Sequence, residues 1–256
     1  PAEVTAGVRL DGDLRGDHWT AQPRARGKLR LDDATTLQAS TGLYARPARL
    51  LDENLQPDLV PERALNSSIG VERRLADQLT LQTTGFYNRL SRLTVLAGDR
   101  RDPMSEAGYR NVGTGTGFGL EALVTYKSRR AFAWLAYTYA HATRVDGPGA
   151  PTRRFDYDQS HNLIAVGSWR LGAWQLGARF QLTTGKPYTP VQGAEFMSDV
   201  DGYQPVYGAV NSQRVATQHQ LDLRVDRRWR FRDWSLALYL DVANTYLNAA
   251  VVDYTY

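Results

Sequence analysis

The chain has 256 residues, room for one large domain or two small ones, and its 31 Lys and Arg stand against 27 Asp and Glu, a net charge of +4. The basic residues alternate with apolar ones and form no patch, which argues against nucleic acid as a partner. With no cysteine, disulfide frameworks, thiolate metal sites and cysteine nucleophiles are all excluded. No run of about 18 apolar residues exists to form a membrane-crossing helix, but a strand-built membrane protein passes that test, because only alternate residues of a barrel strand face lipid.

The amino terminus, PAEVTAGVRLDG, lacks a basic head followed by an apolar run, so the chain is expected to begin within a longer one. From there, alternation of apolar and polar residues predicts strands near 3–11, 22–31, 35–45, 66–75 and 79–95. In 118–127, Phe118, Leu120, Ala122, Val124 and Tyr126 oppose Glu121, Thr125 and Lys127. Further strands are expected at 131–143 and 160–171, and 174–185 sets Trp174, Leu176, Ala178, Phe180 and Leu182 against Gln175, Gly177, Arg179, Gln181 and Thr183. The clearest segment is LDLRVDRRWRF, 221–231, with Leu221, Leu223, Val225, Trp229 and Phe231 on one face and Asp222, Arg224, Asp226, Arg228 and Arg230 on the other. As a helix it would scatter its apolar residues around the circumference; as a strand it is two-faced. WSLALYLDV follows with Trp234, Leu236, Leu238, Leu240 and Val242 aligned.

Roughly eleven strands of about 9 to 16 residues result, longer than the five or six usual in globular sheets and long enough for a tilted strand to cross the hydrocarbon layer. Very short turns at 32–34, 76–78, 128–130, 172–173 and 232–233 alternate with long polar loops at 46–65, 96–113, 144–159 and 186–215. That rhythm matches barrels with short periplasmic turns and long extracellular loops. Trp169 and Trp174 flank one short turn and Trp229, Phe231 and Trp234 another, as in an aromatic girdle at the periplasmic interface. The competing reading, the outer face and open end of a soluble sandwich, predicts a second apolar sheet packed on the first.

At this point the segments resemble TonB-dependent outer-membrane receptors, over nearly the whole chain and in the family's order. AGVRLD (6–11), QPRARGKLRL (22–31), TTLQASTGLYARP (35–47), DLVPERALNSSIGVERRL (58–75), LTLQTTGFYNRLSRLTV (79–95), YRNVGTGTGFGLEALV (109–124), FDYDQSHNL (155–163) with TTGKPYTPV (183–191), HQLDLRVDRRW (219–229) and LYLDVANTYLN (238–248) are each similar to a family strand or loop motif. The resemblance implies an all-β, antiparallel transmembrane barrel fragment, residues 1–256 being the C-terminal part of the β-barrel domain with about 11 of an expected 22 strands. The plug domain, the early strands and the last strand are expected to be absent, unless AVVDYTY (250–256) is terminal.

What the resemblance implies functionally is active transport of a scarce nutrient (siderophore iron, cobalamin, glycan or peptide) across the bacterial outer membrane, energised through TonB, with a porin-like or structural barrel as the alternative. The partners implied are outer-membrane lipid, the TonB complex through the absent N-terminal region, and a small-molecule or metal-chelate ligand. Enzymatic activity, a cofactor and a catalytic site are not expected. The four histidines, His18, His141, His161 and His219, lie far apart without carboxylates at ligand spacing, and the glycine run at 113–119 leads into a strand where a phosphate loop needs a helix. Glu62, Glu72 and Glu121 are read as hydrogen-bonding groups within the wall. Tyr188, Tyr203 and Tyr207 in the long loops are the candidate contacts for ligand capture.

Overall fold

A computed structural model describes residues 1–13, 18–46, 59–97, 108–199 and 201–251. The strands are β1 (Ala2–Asp13), β2 (His18–Arg30), β3 (Thr35–Arg46), β4 (Glu62–Ala76), β5 (Leu79–Ala97), β6 (Gly108–Lys127), β7 (Ala131–Val145), β8 (Arg153–Arg154), β9 (His161–Leu171), β10 (Trp174–Thr183), β11 (Pro187–Tyr188), β12 (Val191–Met197), β13 (Gly202–Tyr207), β14 (Gln213–Arg214), β15 (Gln218–Arg230) and β16 (Ser235–Val242). Eleven of these form one antiparallel meander, β1-β2-β3-β4-β5-β6-β7-β9-β10-β15-β16, with β8 added beside β7. Both ends of the meander are edges, so the sheet is open.

Register makes the period-two pattern continuous across strands. One row runs Val242, Leu223, Ala178, Gly167, Ala133 and Tyr126; another runs Leu221, Phe180, Ala165, Leu135, Val124 and Leu81. A one-residue slip in any pair would send apolar groups to the polar face, so the pattern fixes the pairing. Among the described residues few apolar side chains are buried, Leu93, Val95, Val215 and Pro187, while Val4 (79% exposed), Ile69 (69%) and Leu240 (64%) stand open. Among the described residues no second large sheet is present to cover this face. Burying a Leu or Val side chain is worth roughly 1.5–3 kcal/mol, so a wall that leaves so many of them open takes its stability from an apolar surrounding. The sandwich reading is thereby overturned.

The short connections form by local rules. In the two-residue turn after β9, Gly172 has φ +63°, as the first central position of a type II′ hairpin requires. Asp32 accepts the N–H groups of Ala34 and Thr35, both at 2.7 Å, closing the turn after β2; its carboxyl is held below its ordinary range chiefly by the Ala34 N–H, against partial desolvation. Phe231 N donates to Trp234 O at 2.9 Å around the last turn, and their rings stack at 4.0 Å. Trp169 and Trp174 flank the turn after β9 and Trp229, Phe231 and Trp234 the last one, so aromatic residues gather at this end.

Several predicted boundaries need correction. The strand expected at 118–127 begins at Gly108 and the one expected at 66–75 begins at Glu62, because polar strand ends beyond the apolar stretch still pair. Residues 108–113 and 62–65 are therefore wall, and the remainder of the loops expected at 46–65 and 96–113 falls mostly outside the described residues, as do 252–256 of the terminal segment. The segment 186–215, expected as one loop, contains β11 paired with β14 and the hairpin β12–β13. The run 113–119 lies inside β6, where a Cβ on Gly119 would come within 2.1 Å of the Tyr139 carbonyl oxygen and 2.5 Å of the Phe86 ring. Close strand approach explains that glycine.

Candidate functional site: the loop collar and the polar face

The polar face carries the chemistry that the apolar face cannot. Arg179 pairs with Asp222 at 2.7 Å and Arg224 with Asp226 at 2.8 Å, with Asp241 across the next strand at 3.6 Å. Glu72 accepts from Gln82 at 2.8 Å, and Glu121 lies opposite Thr138 and Thr84 in the same row. These exposed pairs are screened by water, so they contribute little to stability and make the face wettable. Near the short turns it opens into a recess of about 680 Å3 lined by Arg170, Arg224, Asp226, Arg228 and Arg230.

At the opposite end there are two nodes, the first joining the far ends of β3 through β7 and the second tying the long connections to the wall. The first is Thr94, beyond a bulge where Arg92 takes φ +57°. Its N–H donates to Glu62 at 2.8 Å, its carbonyl accepts from Arg144 at 2.7 Å, and Asn111 donates to its hydroxyl at 3.3 Å. Arg46 completes the Glu62 carboxylate at 2.5 Å. Two segments noticed separately in the sequence, 58–75 with Glu62 and 109–124 with Asn111, thus close on one residue.

The second node is Asp158, whose side chain is fully buried. It accepts the Ala142 N–H at 2.7 Å and is paired with the Arg214 guanidinium, which also donates to the Asp158 and Gly185 carbonyls and to Ser160 Oγ. Gly185 is required here because any Cβ would strike the Val215 carbonyl at 1.9 Å. Asn211, in the left-handed region at φ +55°, donates through its side chain to Arg154 O at 2.9 Å and Asp156 at 2.6 Å. Arg153 bridges Asp146 at 2.5 Å and Asp156 at 2.7 Å. Burial pushes the Asp146 carboxyl up, but hydrogen bonds and charge from Arg153 and Arg144 outweigh it and hold the group below its ordinary range.

The three candidate tyrosines divide between two places. Tyr188 sits in β11 at the collar, its hydroxyl donating to Gln213 Oε1 at 2.9 Å. Tyr203 and Tyr207 lie on β13, four residues apart on one face of the outer hairpin, 76% and 57% exposed. Tyr203 is packed edge-on against Phe196 at 5.4 Å. Phe196 was missed by sequence reading, although it stands opposite Tyr203 in the hairpin register; with β12 unrecognised there was no register to read. His161 opens β9 and meets the Tyr137 hydroxyl at 2.8 Å, and His219 meets that of Tyr246 at 2.8 Å. Among the described residues no group of three or more His, Asp or Glu is placed to hold a metal ion.

A two-faced, open meander with tight turns at one end and a cross-linked collar at the other is the geometry to be matched, and the family model for the TonB dependent receptor-like β-barrel matches residues 2–244. The chain belongs to that family. This receptor-family chain is therefore an all-β, outer-membrane barrel segment, with the apolar face toward lipid and the polar face toward the lumen. It is similar in fold to the outer membrane transporter YddB from Escherichia coli (12% identity, TM-score 0.71, 99% of this chain and 40% of that one). It is also similar to the FrpB iron transporter from Neisseria meningitidis (12%, 0.65, 90% and 35%) and to the ferripyoverdine receptor of the outer membrane of Pseudomonas aeruginosa (13%, 0.66, 91% and 30%). The receptor segment spans from 30% to 40% of the length of these neighbours. Among curated proteins no match was found. Neighbours of this kind are transporters and receptors, with no enzyme among those named.

Proposed function

We propose that the segment is the C-terminal part of the barrel domain of an active-transport receptor that takes up a scarce small molecule or metal chelate, energised through TonB. Residues 1–256 supply wall and collar; plug, early strands and a final strand would come from the rest of the protein. The observation that carries the reading is the collar: a buried Asp158–Arg214 pair holds the long connections at one end of a polar face, beside strand ends joined at Thr94. A fixed collar pre-organises the outer hairpin, which lowers the entropic cost of binding. Tyr203 and Tyr207, with Phe196, form the capture surface in this reading, and Tyr188 positions the hairpin base. Metal chelates are favoured as ligand class because the neighbours named above include an iron transporter and a ferripyoverdine receptor.

The test is uptake by cells that express the full-length receptor as their only member of the family, offered radio-iron as ferripyoverdine and as a ferric catecholate, labelled cobalamin, and a labelled oligosaccharide. Accumulation of one of these that stops when TonB is deleted is the expected result. Accumulation indifferent to TonB would replace this reading with a passive pore. Replacing Tyr203, Tyr207 and Phe196 by alanine should weaken binding of the accumulated compound at least tenfold, about 1.4 kcal/mol, while the heat-shifted mobility of the folded barrel is retained.

A further inference from the structure

Among the described residues two cations break the apolar face at the short-turn end: Arg73, opposite Thr35 and Leu81, and Arg227, which is the one set against indole rings. Arg227 lies in register with Trp174 and Leu238, in the face that also carries Val225, Leu223 and Trp229. Its guanidinium carbon is 4.6 Å from the centroid of the Trp174 ring and 4.7 Å from that of Trp229. Among the described residues no hydrogen bond or ion pair reaches this side chain, and its Nε is buried without a partner. All other arginines of this strand, Arg224, Arg228 and Arg230, fall on the polar face.

An arginine facing lipid is costly at the bilayer midplane and cheap near the interface, and Arg227 sits among Trp169, Trp174, Trp229 and Trp234, the belt that marks the headgroup level. Two indole faces hold the guanidinium by cation–π attraction but satisfy none of its five N–H donors. At the headgroup level the two terminal nitrogens, which are not sealed as Nε is, can meet an anionic oxygen pair, which a guanidinium binds as a fork. We propose that Arg227, clasped by Trp174 and Trp229, is a binding site for the phosphate of an anionic phospholipid of the periplasmic leaflet. The indoles fix the guanidinium, so little side-chain freedom remains to be lost on binding, and the acyl chains lie along Val225, Leu223 and Leu240.

The experiment is native mass spectrometry of the full-length receptor in detergent, titrated with phosphatidylglycerol and, separately, with phosphatidylcholine. Wild type should retain phosphatidylglycerol in preference to phosphatidylcholine, and Arg227→Gln should lower its occupancy about tenfold, the loss of one charge-assisted fork. Arg227→Lys, which keeps the charge but not the planar fork, should fall between, and Arg228→Gln, one residue away on the polar face, should match wild type. If Arg227→Gln gives no heat-shifted barrel, Trp174→Leu and Trp229→Leu test the same clasp and should each weaken phosphatidylglycerol binding. Equal retention of the two lipids, undiminished phosphatidylglycerol binding in all the Arg227 and Trp variants, or displacement of the lipid by millimolar inorganic phosphate would overturn the proposal.

Discussion

The two ends of this wall are built by different physics. At the short-turn end each connection closes on itself: Gly172 supplies a positive φ, Asp32 accepts two N–H groups within three residues, and Phe231 and Trp234 meet across one turn. At the long-loop end local turns such as Ala150 N to Gly147 O and Ser212 N to Ala209 O are joined by long-range links. Arg214 reaches Asp158 from 56 residues away and Arg144 reaches Thr94 from 50. Barrels place their variable chemistry where connections are long, and long connections need side-chain networks besides backbone turns because loop backbone alone has too few partners.

Breaking the buried pair should separate the ends most sharply. Arg214→Gln strips a fully buried carboxylate of its counter-charge, a loss of about 3–5 kcal/mol; hydrogen exchange in the full-length receptor should speed up across 185–215 while amides of β9 and β10 stay protected. Uniform protection would show that the collar does not depend on this node. The wall should respond next: Leu223→Arg, on the lipid face, is expected to cost about 2–4 kcal/mol, read as a lowered folding midpoint in vesicles, whereas Asp222→Asn, one residue along on the lumen side, should shift it far less. Comparable shifts from the two would contradict the assignment of faces.

A smaller effect is expected at a turn. Gly172→Val forces a β-branched residue to φ +63°, for about 1–2 kcal/mol, and should slow formation of the β9–β10 hairpin without altering exchange in the collar. The smallest concerns pH. Because the folded pKa of Asp146 lies below its ordinary value of 3.8, its ion pairs stabilise the collar fully above that value and are lost as pH falls through the lower folded pKa. Mild acidification to about pH 5 should leave proteolysis of 144–159 unchanged, with sensitivity rising only in stronger acid; a transition near neutrality would place the switch elsewhere.

Much of the wall was legible before any coordinates. Leu221, Leu223 and Val225 alternate with Asp222, Arg224 and Asp226, and the structure keeps that division in every neighbouring strand. Less was legible where apolar spacing stops: Gly108 to Val112 belongs to a strand yet carries no alternation, and β12 with Phe196 lay hidden in what looked like loop. Arg227 shows a subtler limit. Its odd number already put it on the apolar face, but only pairing with β10 brought Trp174 to it, 53 positions earlier in the chain and adjacent in space.

The sequence by itself determined the two-faced strands, the tight turns and hence the membrane-spanning wall, because side-chain alternation and turn chemistry are properties of consecutive residues. Only the tertiary structure decided that Glu62, Asn111 and Arg144 share Thr94, that Asp158 is sealed by Arg214, and that two indoles clasp Arg227. Each of those meetings depends on register summed over several strand pairings, and no local stretch of chain carries that sum.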